Sequence, residues 1–332
     1  MNASTGRHSH DEQYRPEACH AKWLNDAPRA LQWRDGVDFE SWRNRLRERW
    51  IELLGRMPAA RCPLDVRTDD EQDLGDCVQV RLSFASEPGA RVPATLLVPK
   101  GVSSRPATVI CLQGHSSGHH ISLGQALYSG DAQSVEGDRD FARQAVARGY
   151  AALAVEQRCL GLRLDRRRAD GALQGDERCR HASLVAMLVG RTMAGERAWD
   201  VSRACDLIES IPQLDPQRIA CMGNSGGGTA TWYAATIEPR ISAIMPSCSV
   251  CEYAPSIGVL DHCTDNYVPG VLQYFDMPDL AGLIAPRPAC IVAGRHDAIF
   301  PFDAMQRSFD RVSAIYQAAG AADRCHFVVG EG

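Results

Sequence analysis

The residue type and setting best suited to covalent chemistry in this sequence is Ser225, in Gly223-Asn224-Ser225-Gly226-Gly227. The phrase fits G-x-S-x-G. Before it, Ile219 to Met222 is a short apolar run that follows the turn signal Leu214-Asp215-Pro216, so it reads as a buried strand. After it, Thr229 to Ile237 is rich in Ala and aromatic residues and reads as a helix. Strand, sharp turn and helix form the setting in which a serine is held out above a sheet as a nucleophile. The glycines keep neighbouring backbone free of Cβ clashes, and the helix N-terminus favours developing negative charge. A phosphate-cradling loop is the alternative, but it would want a Lys after the glycines, and none is present.

A serine hydroxyl needs a base beside it, and the base needs an orienting acid. The acid candidate is Asp297 in Gly294-Arg295-His296-Asp297, directly after the apolar run Pro288 to Ala293. A helix cap is its other possible role, although Asp303 suits that cap better. An oxyanion hole needs two backbone N–H groups. Gly226 supplies one, and His115, which follows the apolar run ending at Leu112, supplies the other. Gln113 in the same turn and Tyr267 in a later loop are expected to touch substrate. His119 and His120 share the loop with His115, and a solvated polar loop accounts for all three imidazoles. Glu156 closes another apolar run and is expected to pair with Arg158 or Arg163. Cys248, Cys251, His262 and Cys263 offer a set of possible zinc ligands. The adjacency of His262 and Cys263 speaks against a tetrahedral ion, so no metal and no cofactor is assigned.

These residues need a scaffold. Phe39 to Leu54 carries Phe39, Trp42, Leu46, Trp50, Leu53 and Leu54 at helical spacing; this helix covers the sheet or meets a partner subunit. Cys77 to Phe84 alternates with period two, Pro88-Gly89 turns the chain, and Val92 to Val98 returns it, giving a hairpin. Continuous apolar runs at Pro106–Leu112, Tyr150–Val155, Ile241–Met245, Pro288–Ala293 and Cys325–Val329 read as buried strands. Helices are expected at 140–148, 181–188, 196–211 and 302–319. The order predicts an α/β fold with a doubly wound, mostly parallel sheet and an antiparallel N-terminal hairpin. Ligands of such sheets bind at the carboxyl ends of the strands, where Gln113, His115, Glu156, Ser225 and Asp297 fall. Residues 1–38 are expected to form a partly disordered extension. A single domain covers 39–332, with loop insertions at 116–137, 156–192 and 249–282 around the pocket; Trp232, Tyr253, Tyr274 and Phe275 are further candidate linings.

The 332 residues carry a formal charge of −5, and hydrophobic residues make up 45%. That is enough apolar content for a sizeable core, with no basic surplus to neutralise nucleic-acid phosphates. No apolar run reaches membrane-spanning length and no leader is visible, so a cytoplasmic location is expected, with no membrane partner. The 13 cysteines, an odd number scattered through apolar runs, fit reduced thiols.

Several phrases carry a family resemblance: Val92-Pro93-Ala94-Thr95-Leu96-Leu97-Val98-Pro99, Cys111-Leu112-Gln113-Gly114-His115, Gly195-Glu196-Arg197-Ala198-Trp199-Asp200, Arg218 to Thr229, Leu283-Ile284-Ala285-Pro286-Arg287-Pro288, and Asp261-His262-Cys263 with Asn266-Tyr267-Val268-Pro269-Gly270. From about residue 40 onward the chain resembles the α/β-hydrolases, in the bacterial branch near dienelactone hydrolases and acetyl-xylan-esterase-like proteins. The resemblance implies a Ser-His-Asp ester hydrolase without a cofactor, and a serine where dienelactone hydrolases proper use cysteine. In that fold the catalytic His follows the last strand, often in a Gly-Gly-His phrase. Here Cys325-His326-Phe327-Val328-Val329 is followed by Gly330-Glu331-Gly332, so the base is expected beyond Gly332, with His326 and His296 as fallbacks. The expected activity is serine carboxylester hydrolysis of a small or medium, acetyl-type ester, by a chain that can form a homo-oligomer. A prolyl-oligopeptidase-like peptidase shares the elbow but would bring a propeller repeat. A non-catalytic binding protein of the same fold is the alternative of another class.

Overall fold

The computed structural model describes residues 14–164 and 179–331. Nine strands form one sheet: β1 Arg67–Asp73, β2 Cys77–Glu87, β3 Ala90–Pro99, β4 Thr108–Leu112, β5 Ala151–Val155, β6 Ile219–Asn224, β7 Ile241–Ser247, β8 Ala289–Gly294 and β9 Cys325–Gly330. Their spatial order is β1-β2-β3-β5-β4-β6-β7-β8-β9. The pairs β1/β2, β2/β3 and β3/β5 are antiparallel. Every pair from β5/β4 to β8/β9 is parallel. The order reverses around β4, flanked by β5 and β6, which is the switch point where such sheets bind ligands. β5 is buried at all five positions, as its Ala151-Ala152-Leu153-Ala154-Val155 sequence requires when both faces are covered.

The helices are α1 Pro16–Asp26, α2 Phe39–Leu54, α3 Asp131–Glu136, α4 Phe141–Ala147, α5 Arg180–Leu188, α6 Met193–Ser210, α7 Gly226–Ile237 and α8 Phe302–Ala318. α6 starts three residues before its expected position because Thr192 caps it, its Oγ1 accepting from Gly195 N–H at 3.0 Å. α7 starts at Gly226, directly after the serine, and eleven of its side chains or backbone positions are buried. Neither Asp297 nor Asp303 caps α8, whose N-cap is Pro301. β1 was not expected. Its sequence, Arg67-Thr68-Asp69-Asp70-Glu71-Gln72-Asp73, is exposed at six of seven positions.

α2 covers the chain's own core. Trp42, Leu46, Trp50 and Leu54 are buried on one face, and Trp50 Nε1–H donates to Thr236 Oγ1 of α7 at 2.6 Å. The Trp42 ring fills the space over Gly282, where a Cβ would stand 2.3 Å from the indole. Residues 1–13 lie outside the described residues. The rest of the extension is α1 and a segment whose Arg29 and Ala30 N–H groups donate to Leu272 O (3.2 Å) and Gln273 O (3.1 Å), so from Arg29 onward it is tied to the 249–282 excursion.

Candidate active site

The geometry at Ser225 is that of a strained turn. Its backbone stands at φ 52°, ψ −121°, which L residues rarely adopt. Three contacts hold it there. Ser225 N–H donates to Ser247 O at the end of β7 (2.9 Å), and Thr229 N–H donates to Ser225 O (2.9 Å). The Gly227 backbone lies so close to β4 that a Cβ would be 2.2 Å from Leu112 O. On the neighbouring loop, a Cβ on Gly114 would be 2.8 Å from Asn224 O and 3.0 Å from Ser225 Cβ. The elbow and the Gly114-His115 turn therefore touch, as an oxyanion hole built from Gly226 and His115 N–H groups would need.

The imidazoles of this region are each paired with a carboxylate, although His115 is exposed. His115 Nε2 is 3.0 Å from Asp265 Oδ2. His119 Nδ1 is 3.0 Å from Glu156 Oε2, and its Nε2 is 3.1 Å from Thr95 Oγ1. His120 Nε2 is 2.8 Å from Asp131 Oδ2. Burial disfavours a charge on His115, but the hydrogen bond and charge of Asp265, helped by Cys179, outweigh it and raise its pKa to about 9. The His115 ring reaches the elbow itself, because a Cβ on Gly226 would meet its Cε1 at 2.9 Å. Behind it, Arg197 of α6 is buried, with Nη1 on Asp265 Oδ2 and Nη2 3.4 Å from Cys179 Sγ. The Cys159 and Cys263 thiols donate to Cys179, and with Arg197 they hold the Cys179 thiol well below its ordinary pKa against the opposing effect of burial.

Glu156 thus pairs with His119, and its carboxylate also accepts from His119 N–H (3.2 Å) and Leu162 N–H (3.3 Å). Arg163 reaches only the Glu156 carbonyl, at 3.1 Å. Arg158 instead bridges Glu87 (2.6 Å), Glu196 (2.8 Å) and Asp200 (2.9 Å). The carboxylate of Asp200 is held well below its usual range by Arg163 and Arg158, although burial opposes this.

Asp297 lies in the turn after β8, partly buried, with Oδ1 accepting from Ile299 N–H (2.8 Å) and Phe300 N–H (2.9 Å). His262 packs its ring against Phe300 of that turn at 5.4 Å between centroids, while its Nδ1 is 3.1 Å from Asn266 Nδ2. Burial lowers the His262 pKa. His326 opposes Cys290 near the start of β8, at the far end of the sheet. The side chain of His296 is 74% exposed, 3.8 Å from Glu331.

Gln113 is buried, and its amide Nε2 donates to Ser122 Oγ and Arg139 O, both at 2.7 Å, which leaves Oε1 as its uncommitted atom. Tyr267 OH donates to Ile257 O at 3.1 Å and braces the 249–282 excursion. Trp232, Tyr253 and Phe275 are core residues, and Tyr274 lies under Arg49, 4.3 Å from its ring centre. Among the described residues, Cys248, Cys251, His262 and Cys263 do not come together as a zinc site. Cys248 directly follows β7, with its N–H donating to Val292 O, and Cys251 is buried in the core. Among the described residues the group that does converge is His115, Cys179, Cys263 and Asp265. Part of the 156–192 insertion, residues 165–178, lies outside the described residues. No described helix is long and apolar enough to cross a membrane.

A parallel sheet with an antiparallel N-terminal portion and a serine elbow between β6 and α7 defines an α/β-hydrolase. The chain belongs to the Abhydrolase family, whose model matches residues 29–328. It is 28% identical over 287 residues to the Bacillus subtilis (strain 168) protein YtaP, provisionally named a hydrolase, covering 85% of this chain and 90% of that one. Among solved structures, a protein of Bacteroides fragilis NCTC 9343 provisionally described as an acetyl xylan esterase superposes with a TM-score of 0.79 at 16% identity, covering 95% of this chain and 81% of that one. A glucuronoyl esterase from Solibacter usitatus gives 0.64 at 15% identity, covering 92% and 94%.

Proposed function

We propose that this protein is a serine carboxylester hydrolase that forms an acyl-enzyme on Ser225. The observation that carries the reading is the strained Ser225 backbone at the mouth of β6, beside Gly114-His115 and on the same sheet edge as Asp297. Ser225 Oγ attacks the acyl carbon, and the oxyanion is received by the N–H groups of Gly226 and His115. Asp297 keeps one carboxylate oxygen beyond its turn bonds for orienting an imidazole, which stabilises the imidazolium formed when the base takes the serine proton.

The general base is assigned to a histidine in a segment following β9. The register supports this position: Gly330 lies opposite Gly294, and Arg295 N–H donates to Gly330 O at 2.8 Å, so a chain leaving β9 enters the Asp297 loop. Water then hydrolyses the acyl-enzyme. The names of the structural neighbours, acetyl xylan and glucuronoyl esterases, favour a carbohydrate ester as substrate class.

The test is fluorophosphonate labelling of the protein at its natural length, read by intact mass and peptide mapping, alongside hydrolysis of acetyl esters and peptide amides. A single adduct on Ser225, absent in Ser225→Ala and slowed in Asp297→Asn, with esters turned over and amides not, is the expected result. Absence of any adduct on the wild-type protein would refute the reading.

A further inference from the structure

We propose that His115, Cys179, Cys263 and Asp265 form a tetrahedral site for a zinc ion that cross-links three loops behind the serine elbow. The four donor atoms lie within 4.8 Å of one another. His115 Nε2 is 3.0 Å from Asp265 Oδ2 and 3.7 Å from Cys179 Sγ. Zn–N, Zn–O and Zn–S bonds of about 2.0–2.3 Å put tetrahedral neighbours about 3.3–3.8 Å apart, so the loops need only small adjustments to close on an ion. Two thiolates, an imidazole and a carboxylate are a donor set suited to this borderline-soft dication and poorly suited to calcium or magnesium.

The surroundings supply what a metal site needs beyond its ligands. Arg197 is buried and contacts two of the four, Asp265 through Nη1 and Cys179 through Nη2. Asp265 Oδ1 accepts from Asn266 Nδ2 at 2.7 Å, which orients the carboxylate from its other side. With a neutral imidazole, two thiolates and one carboxylate balance Zn(II) plus the Arg197 guanidinium, so no net charge is buried. The ligands come from separate segments: the turn after β4, the residue preceding α5, and the 263–265 turn of the long excursion. An ion here fixes the Gly114-His115 turn, whose His115 ring touches the elbow, and so acts on the geometry of the serine without touching substrate.

The test does not depend on the serine chemistry. Untagged protein, purified without chelator, is analysed for metal by mass spectrometry, then stripped and titrated with Co(II). One zinc per chain is expected. The cobalt form should show thiolate-to-cobalt charge transfer and the intense visible bands of a tetrahedral ion. Cys179→Ser and Cys263→Ser should each lose the ion, while Cys248→Ser keeps it. Cys263→His is included as a variant that keeps a donor at this position and separates loss of the ion from loss of folding. It retains a ligand and should keep the ion while the charge-transfer intensity falls. Zinc no higher than in the Cys179→Ser, Cys263→Ser double variant would overturn the proposal. So would a cobalt band that survives in Cys179→Ser, or a mass two hydrogens light that maps to a Cys179–Cys263 disulfide.

Discussion

Replacing Ser225 by glycine is expected to stabilise the protein while abolishing its chemistry. The serine stands at φ 52°, ψ −121°, and a non-glycine residue in such a region costs about 1–3 kcal/mol. Glycine adopts it without a Cβ clash, but its freer unfolded chain gives back about 0.4–1 kcal/mol. The net gain is about 1 kcal/mol relative to Ser225→Ala, which lacks the hydroxyl equally but keeps the Cβ. An unfolding entropy of about 2.1 cal/mol/K per residue over 332 residues makes that gain a rise in Tm of ~1.5 °C. Scanning calorimetry of the two variants under identical conditions reads the difference. Both should lose on the order of 10⁶ in turnover, the scale seen when a triad nucleophile is removed. A Ser225→Gly protein no more stable than Ser225→Ala would show that the elbow holds no strain, and the argument for a conformation maintained by β4 and β7 would fail.

Gly227→Ala places a Cβ 2.2 Å from Leu112 O and 2.7 Å from Gln113 O, backbone atoms that can move only if β4 parts from α7; a loss of about 2–3 kcal/mol or more and of fluorophosphonate labelling should follow, measured by urea unfolding and mass. Arg158→Ala removes the cation shared by Glu87, Glu196 and Asp200, but Arg191 still pairs Glu87 and Glu196 and Arg163 still pairs Asp200, so the loss should be about 1.5–3 kcal/mol, seen as a Tm about 2–4 °C lower. Asp131 is buried, and burial alone would raise its pKa. Bonds from Ser117, His120 and the Tyr128 and Leu127 N–H groups outweigh that and lower it to about 2. The stability this contributes is present above the unfolded value near 3.8 and lost as pH falls towards about 2, amounting to about 2 kcal/mol. An acid-unfolding series should therefore be flatter across that window for Asp131→Asn than for wild type.

The strands from β2 to β9 were legible because their apolar runs or alternation report burial directly. β1 was not, since an edge strand with six of seven positions exposed has no apolar period to read. The start of α6 is set by the cap Thr192, ahead of the start expected at residue 196. At the site, the placement of Ser225 and of the Asp297 turn was legible because each follows a strand, and strand ends meet at one edge of a parallel sheet. The partners of His115, His119 and Glu156 were not, because His115 meets Asp265 and His119 meets Glu156 across sequence separations that spacing does not encode. For the same reason the thiols that converge are Cys179 and Cys263, and the C-x-x-C pair Cys248 and Cys251 separates between a strand end and the core.

The charged β1 strand bears on how copies of this chain can meet. It closes one side of the sheet with Asp69, Asp70, Glu71 and Asp73, of which Asp70 and Asp73 are held by Arg81 (3.0 Å) and Lys100 (2.5 Å) of the same chain. Two such edges brought together would set a row of carboxylates against its own copy, with the nearby cations already engaged. Sheet extension across this edge is therefore repelled at neutral pH. The repulsion weakens as salt screens it, so high ionic strength is the condition under which this margin of the protein becomes open to self-association.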